Sequence, residues 1–179
     1  YPGPAPTGPY STPQLQQWQY KTGGAVYSSP AVAGGTVFVG SGDSHVYALD
    51  AQTGSLQWRY ETGDEVFSSA AVTGGTVFVG SYDNHVYALD AHTGSLRWRY
   101  ETGGAVWSSP AVAGGTVFVG SGDSHVYAID AHTGSLQWRY ETGGWVSYSP
   151  AVAGGTVFVG SRDSHVYALD AQTGSLQWR

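Results

Sequence analysis

The stretch Ser41–Trp58, SGDSHVYALDAQTGSLQW, decides the fold. Near-copies begin at Ser81, Ser121 and Ser161, so the chain repeats itself every 40 residues. A unit this short cannot bury its own apolar faces and has to lean on neighbouring units. Working outward from that stretch, the second unit reads as four strands. Phe67–Val72 is the first strand, A. Thr73-Gly74-Gly75 is a tight turn, because adjacent glycines accept the positive φ that a two-residue hairpin requires. Thr76–Gly80, TVFVG, is strand B, rich in β-branched and aromatic residues. Ser81-Tyr82-Asp83-Asn84 turns the chain, its Asp and Asn able to bond local backbone. His85–Asp90 is strand C, Asp90–Gly94 a longer turn, and Ser95–Glu101 strand D. In strand C, Val86 and Ala88 point one way while Tyr87 and Leu89 point the other, so the sheet is apolar on both faces. Helix periodicity appears nowhere. Four antiparallel strands per repeat, buried on both faces, is the pattern of an all-β propeller, each unit one blade.

The units lie near 23–62, 63–102, 103–142 and 143–179, within a propeller region spanning 14–179. Residues 1–13, YPGPAPTGPYSTP, hold five of the eight prolines and read as the end of an extended linker. Hydrophobic residues make up 41% of the 179, so the chain is globular, and no run is long enough for a membrane-spanning helix. Seven Lys and Arg against thirteen Asp and Glu leave a net charge of −6. Nucleic-acid binding and attraction to an anionic membrane both need a basic face, which this composition does not supply. There is no Cys, which rules out disulfides and thiolate metal sites and leaves the compartment open. There is no Met either, even at the first position, which points to a piece of a longer protein or a processed form.

The segment Ala48-x-Asp50-x-x-Thr53-Gly54-x-x-x-Trp58 resembles the tryptophan-docking motif of quinoprotein-type propellers, the pyrrolo-quinoline-quinone-like (PQQ-like) repeat. It recurs as Ala88, Asp90, Thr93, Gly94, Trp98, then as Ala128, Asp130, Thr133, Gly134, Trp138, and last as Ala168, Asp170, Thr173, Gly174, Trp178. The resemblance, which extends over residues 14–179, implies that Trp58, Trp98 and Trp138 are wedged between blades and that the Asp and Thr tie down the turn. It also implies a structural docking role for Trp18 and Trp178. A large aromatic beside a Gly can lie flat on exposed peptide, which agrees. Propellers similar to this one occur on bacterial serine/threonine kinases behind Pro-rich linkers. They occur also as scaffolds of outer-membrane assembly and in quinone-dependent dehydrogenases. The resemblance implies for the dehydrogenases a calcium ion, an adjacent Cys pair and acidic and amide ligands. This chain has no Cys and a single Asn, Asn84, so no cofactor is expected.

Rings of this family usually have seven or eight blades, and this chain supplies four. Gln14–Thr22, QLQQWQYKT, resembles an additional D strand with Trp18 in the docking place. An open half-ring exposes two long edges. The expectation is a homodimer closing an eight-bladed ring, with Gln14–Thr22 pairing with strand C of a last blade in competition with Ser175–Arg179. A four-bladed ring within one chain is the alternative.

Each unit also clusters Ser41, Asp43, His45 and Asp50, the residue types of a Ser–His–Asp set. Catalysis needs one preorganised site with an oxyanion hole, and four equal copies argue for turn chemistry instead. His45, His85, His125 and His165 suggest a metal ring. Strand C lies two strands out from the axis at ~4.8 Å per strand, so these rings should be on the order of 10–20 Å apart. A metal wants each nitrogen at ~2 Å, so no metal site and no catalytic residue is expected.

Comparison of the four units with one another locates a candidate surface. Three columns hold three or more residue types: Ala25, Glu65, Ala105, Trp145; Tyr27, Phe67, Trp107, Ser147; and Gly42, Tyr82, Gly122, Arg162. Nearby, serine becomes Tyr148 and glycine becomes Asp64. In an up-and-down blade these positions fall on the side of the D–A and B–C connections. The expected site is therefore Tyr27, Asp64, Glu65, Phe67, Tyr82, Trp107, Trp145, Tyr148 and Arg162, a surface for a ligand or a protein partner. Aromatics with an Arg are the residue types that anchor interfaces, and aromatic faces stack on cations. The function expected is a non-enzymatic recognition module, the extracytoplasmic sensor portion of a larger bacterial protein such as a receptor-like kinase. An assembly scaffold and a quinone-dependent dehydrogenase are the alternatives.

Overall fold

Each repeat folds into one antiparallel sheet of four strands in sequential order. The computed structural model describes residues 18–179. The Pro-rich stretch 1–13 and the start of the D-like segment, 14–17, lie outside the described residues. Blade 1 comprises β1 (Ala31–Ala33), β2 (Thr36–Gly40), β3 (His45–Asp50) and β4 (Leu56–Glu61). Blade 2 comprises β5 (Ala71–Thr73), β6 (Thr76–Gly80), β7 (His85–Asp90) and β8 (Leu96–Glu101). Blade 3 comprises β9 (Ala111–Ala113), β10 (Thr116–Gly120), β11 (His125–Asp130) and β12 (Leu136–Glu141). Blade 4 comprises β13 (Ala151–Ala153), β14 (Thr156–Gly160), β15 (Val166–Asp170) and β16 (Leu176–Trp178). No helix occurs among the described residues.

Local chemistry explains these elements. Gly74 and Gly75 take φ of 55° and 71°, the two-residue hairpin that joins β5 to β6. The B–C hairpin needs one left-handed residue, filled by Ser44, Asn84, Ser124 and Ser164 with φ between 66° and 72°. Between Ala48 and Leu49 the register to β4 shifts, a bulge that sets Trp58 opposite Ala48. Strand A is shorter than the sequence suggests. It begins at Ala71, and Phe67–Ala70 belong to the D–A connection. The reason is that this stretch spends its hydrogen bonds elsewhere: Ser68 Oγ accepts the Gly80 N–H at 3.0 Å, and the Ser69 N–H donates to Ser109 Oγ of the next blade at 2.9 Å.

The core lies between blades and not within them. Phe38, Val46, Ala48 and Trp58 of blade 1 pack on Val66, Val77, Val79, Tyr87 and Leu89 of blade 2. The same residue types form the interfaces of blades 2 and 3 and of blades 3 and 4. The two faces of strand C divide as the alternation requires, Val86 and Ala88 facing blade 3 and Tyr87 and Leu89 facing blade 1. First strands of successive blades are neighbours and line the axis.

The blades form an open arc. Val26 and Val166, on the two outer faces, are 48% and 54% exposed, whereas their repeat equivalents Val66 and Val46 are fully buried. Within the single chain β16 pairs with β15, and Trp18 and Tyr20 of the D-like segment lie against the outer face of blade 1.

Candidate functional site

Two kinds of tie hold the blades and thereby position the variable face. The first is the tryptophan slot. Trp58 Nε1 donates to the Ala91 carbonyl at 3.0 Å, and Trp98 and Trp138 repeat the bond on Ala131 and Ala171. The indole lies so close to the next blade's turn that a Cβ on Gly94, at φ +73°, would sit 2.6 Å from Trp58 Cδ2. Asp90 Oδ1 shapes that turn, accepting the N–H groups of His92 and Thr93 at 3.0 and 2.8 Å. Trp18 fills the corresponding slot on blade 1, donating to the Ala51 carbonyl at 3.0 Å. Trp178, by contrast, is 52% exposed. The second tie is a serine ladder near the axis. Ser29 N–H donates to Ser69 Oγ, Ser69 to Ser109, and Ser109 to Ser149, at 2.8 to 3.0 Å. Sequence reading missed this ladder, although one invariant serine per repeat was its signal.

The Ser–Asp–His clusters are turn chemistry. Asp83 Oδ1 accepts the His85 N–H at 3.0 Å, while Oδ2 accepts the Tyr87 hydroxyl at 2.5 Å and the Gly63 N–H at 2.7 Å. His85 Nδ1 faces the Asp83 carbonyl at 2.8 Å. Ser81 Oγ donates to the Asp64 carbonyl at 3.0 Å and is fully buried, so it meets backbone and not the imidazole. A nucleophile and its base must share a hydrogen bond, and these do not. Among the described residues no three His, Asp or Glu gather as metal ligands.

The D–A and B–C connections bring the variable columns into contact. In every blade the first and third columns are joined by one backbone hydrogen bond. Gly42 N–H donates to the Ala25 carbonyl, Tyr82 to Glu65, Gly122 to Ala105 and Arg162 to Trp145, at 2.8 to 2.9 Å. The side chains then form a continuous run. Tyr27 meets Phe67 edge-on at 4.6 Å between centroids, and Phe67 meets Tyr82 at 5.0 Å. Tyr82 meets Trp107, and Trp107 meets Trp145, both at 5.5 Å. Arg162 closes the run with its guanidinium 5.0 Å from the Trp145 ring centroid, within cation–π range. The three contacts from Tyr27 to Trp107 are edge-to-face, with planes at 68° to 76°, and the Trp107–Trp145 contact is tilted at 42°.

Exposure is uneven along this run. Tyr27 and Trp145 are 69% and 47% exposed, whereas Phe67, Tyr82 and Trp107 are half-buried. Trp107 is therefore also a packing residue. Its indole N–H and the Ser147 hydroxyl are buried with no hydrogen-bond partner among the described residues. Tyr148 is exposed but lies outside the stacked run, and Asp64 and Glu65 border Tyr82 with Asp64 accepting the Glu65 N–H. On the opposite face, A–B and C–D turns of adjacent blades leave clefts, one of about 590 Å³ between blades 3 and 4. Those clefts are lined mainly by Gly, Ala and Thr that recur in every repeat, with His92, His132 or Gln172 at the C–D turn.

The family model described as outer membrane protein assembly factor BamB matches residues 15–106 and 101–179. Among solved structures, the chain is similar to BamB from Moraxella catarrhalis, at 24% identity and a TM-score of 0.80, over 90% of this chain and 51% of that one. It is similar to quinohemoprotein alcohol dehydrogenase ADHIIG from Pseudomonas putida HK5, at 24% identity and a TM-score of 0.78, over 90% of this chain and 34% of that one. It is also similar to the computationally designed Ika4 protein, at 20% identity and a TM-score of 0.76, over 84% of this chain and 93% of that one. At these identities the likeness is one of fold, and the chain spans about half the length of the BamB structure. No curated protein matches.

Proposed function

The chain belongs to the PQQ-like-repeat family whose model is described as outer membrane protein assembly factor BamB, and from that premise we propose that it is a non-catalytic recognition module. The partner is held on the face of the D–A and B–C connections. One observation carries this reading: the stacked run from Tyr27 to Arg162 crosses all four blades at the positions where otherwise near-identical repeats diverge. Ring edges, a guanidinium and the acidic pair Asp64–Glu65 suit an extended partner with aromatic and charged groups. A sensor role within a larger receptor-like protein is one use of such a face. Scaffolding of other proteins is the second reading, supported by the description of the family model.

The dehydrogenase reading lacks its ligands. The chain has no Cys, and its only Asn, Asn84, sits in a B–C hairpin at φ +70° with its carbonyl accepting the Thr102 N–H. These residues do not fit a bound quinone and its calcium ion.

The test is a titration followed by tryptophan fluorescence, with two probes: a soluble oligosaccharide, and an extended peptide with aromatic residues at alternate positions. Saturable binding of either that weakens more than about tenfold in Trp145→Ala and Arg162→Ala supports the reading. Preference for the peptide favours the scaffold, and preference for the sugar favours the sensor. Binding that survives both substitutions but is lost on changing His92 and His132, in the opposite clefts, overturns the site.

A further inference from the structure

We propose that the two open ends of the arc are a docking surface for a second copy of this chain, and that the Trp18–Thr22 segment of each copy completes the last blade of the other. The outer face of blade 4 presents Phe158, Val166 and Ala168, the equivalents of Phe38, Val46 and Ala48. The outer face of blade 1 presents Val37, Val39, Tyr47 and Leu49, the equivalents of Val77, Val79, Tyr87 and Leu89. Those two sets already pack on each other inside the chain. The ends of the arc are therefore complementary to one another by construction.

Further features mark the ends as unfinished. A Cβ on Gly40, Gly80 or Gly120 would collide with Val66, Val106 or Val146 of the following blade, yet one on Gly160 meets no described atom within 4 Å. The serine ladder stops at the Ser149 N–H at one end and at Ser29 Oγ at the other, a donor and an acceptor that match.

The N-terminal segment shows which strand closes the junction. Trp18 occupies the slot over Gly54 that a preceding blade's tryptophan would take, its Cδ2 2.6 Å from a Cβ placed there. Tyr20 lies 5.7 Å from Tyr47, as Tyr60 lies 5.8 Å from Tyr87. Gly23 N–H donates to Asp43 Oδ2 at 2.6 Å, as Gly63 does to Asp83 at 2.7 Å. This segment is therefore seated as the fourth strand and exit of a blade whose other strands are missing. The repeat supplies five docking tryptophans for four slots, and Trp18 already holds the contested one, so Trp178 is the surplus. In the dimer, Trp18–Thr22 pairs with β15 of the partner in the register of β4 on β3, and the three-residue β16 gives way. A head-to-tail contact between four-bladed arcs is used twice and closes at eight blades.

Light scattering on the full 179-residue chain tests this. The expected mass is twice 18.8 kDa. Val166→Asp, exposed in the single chain, is expected to give 18.8 kDa with an unchanged circular dichroism spectrum. Trp18→Ala is expected to weaken dimerisation more than about tenfold, and Trp178→Ala to leave it unchanged. A native mass of 18.8 kDa at every concentration overturns the proposal. So does an open-ended series of larger species, or dissociation by Trp178→Ala with Trp18→Ala silent.

Discussion

At the scale of the residue, the molecule rests on one contact made repeatedly, a tryptophan laid on the glycine of the next blade's turn. The glycine is required there both by its φ and by the ring above it. Trp98 and Trp178 occupy the same place in the repeat, but the first is 9% exposed and the second 52%. Trp98→Ala is accordingly expected to destabilise by about 3–5 kcal/mol and Trp178→Ala by less than about 0.5 kcal/mol in the monomer, read from urea denaturation. The second recurring contact is the Asp–Tyr pair of the B–C hairpin. Burial alone pushes the Asp123 carboxyl up, but hydrogen bonds from the Tyr127 hydroxyl and from the His125 and Gly103 backbone outweigh it and hold the group below the usual carboxylate range. Burial and the bond to Asp123 push the Tyr127 phenol up to about 12. The carboxylate's contribution is thus complete above about pH 4 and lost as pH falls toward its lower folded value. The phenol's contribution is complete below about pH 10 and lost as pH rises through its folded value. Thermal unfolding followed against pH should show both limbs, and Tyr127→Phe should flatten the alkaline one.

At the scale of the element, the blade is set by its turns. The B–C hairpin places a non-glycine residue at positive φ in each unit, Asn84 once and serine three times. Asn tolerates the left-handed region better than Ser, because its short amide bonds local backbone there. Asn84→Ser should therefore lower stability, and Ser44→Asn raise it, each by up to about 1 kcal/mol, with opposite shifts in melting temperature. The D–A connection is the element that sequence reading misjudged. Phe67 carries a strand-forming side chain, yet Ser68 and Ser69 hydrogen-bond to β6 and to the next blade. Strand propensity yields when the backbone partners lie outside the local segment. The consequence is functional, because it leaves Tyr27, Phe67 and Trp107 on loops at the mouth of the arc, where they stack across blades and not within one.

At the scale of the whole molecule, stability is shared between neighbours and fails at the ends. In hydrogen exchange, β6–β7 and β10–β11, covered on both sides, should protect most, and β14–β16 least. Protection of β14 and β15 that rises with protein concentration would follow from the second copy proposed above. Much of this was legible from residues alone. The 40-residue period, the Gly74-Gly75 hairpin, the two-sided alternation in strand C and the divergent columns are local patterns that read directly as blades and as one variable face. What the sequence could not carry is contact between units. Tyr27 and Phe67 are a repeat apart, and only the curvature of the arc brings their rings to 4.6 Å. Nor could it say which tryptophan is buried. Trp98 and Trp178 follow the same Ala, Asp, Thr and Gly at the same spacing, but each slot belongs to the following blade. The repeat determined that a slot is needed, and the tertiary structure decided where one exists, because burial is conferred by a neighbour and is not encoded in the residue that needs it.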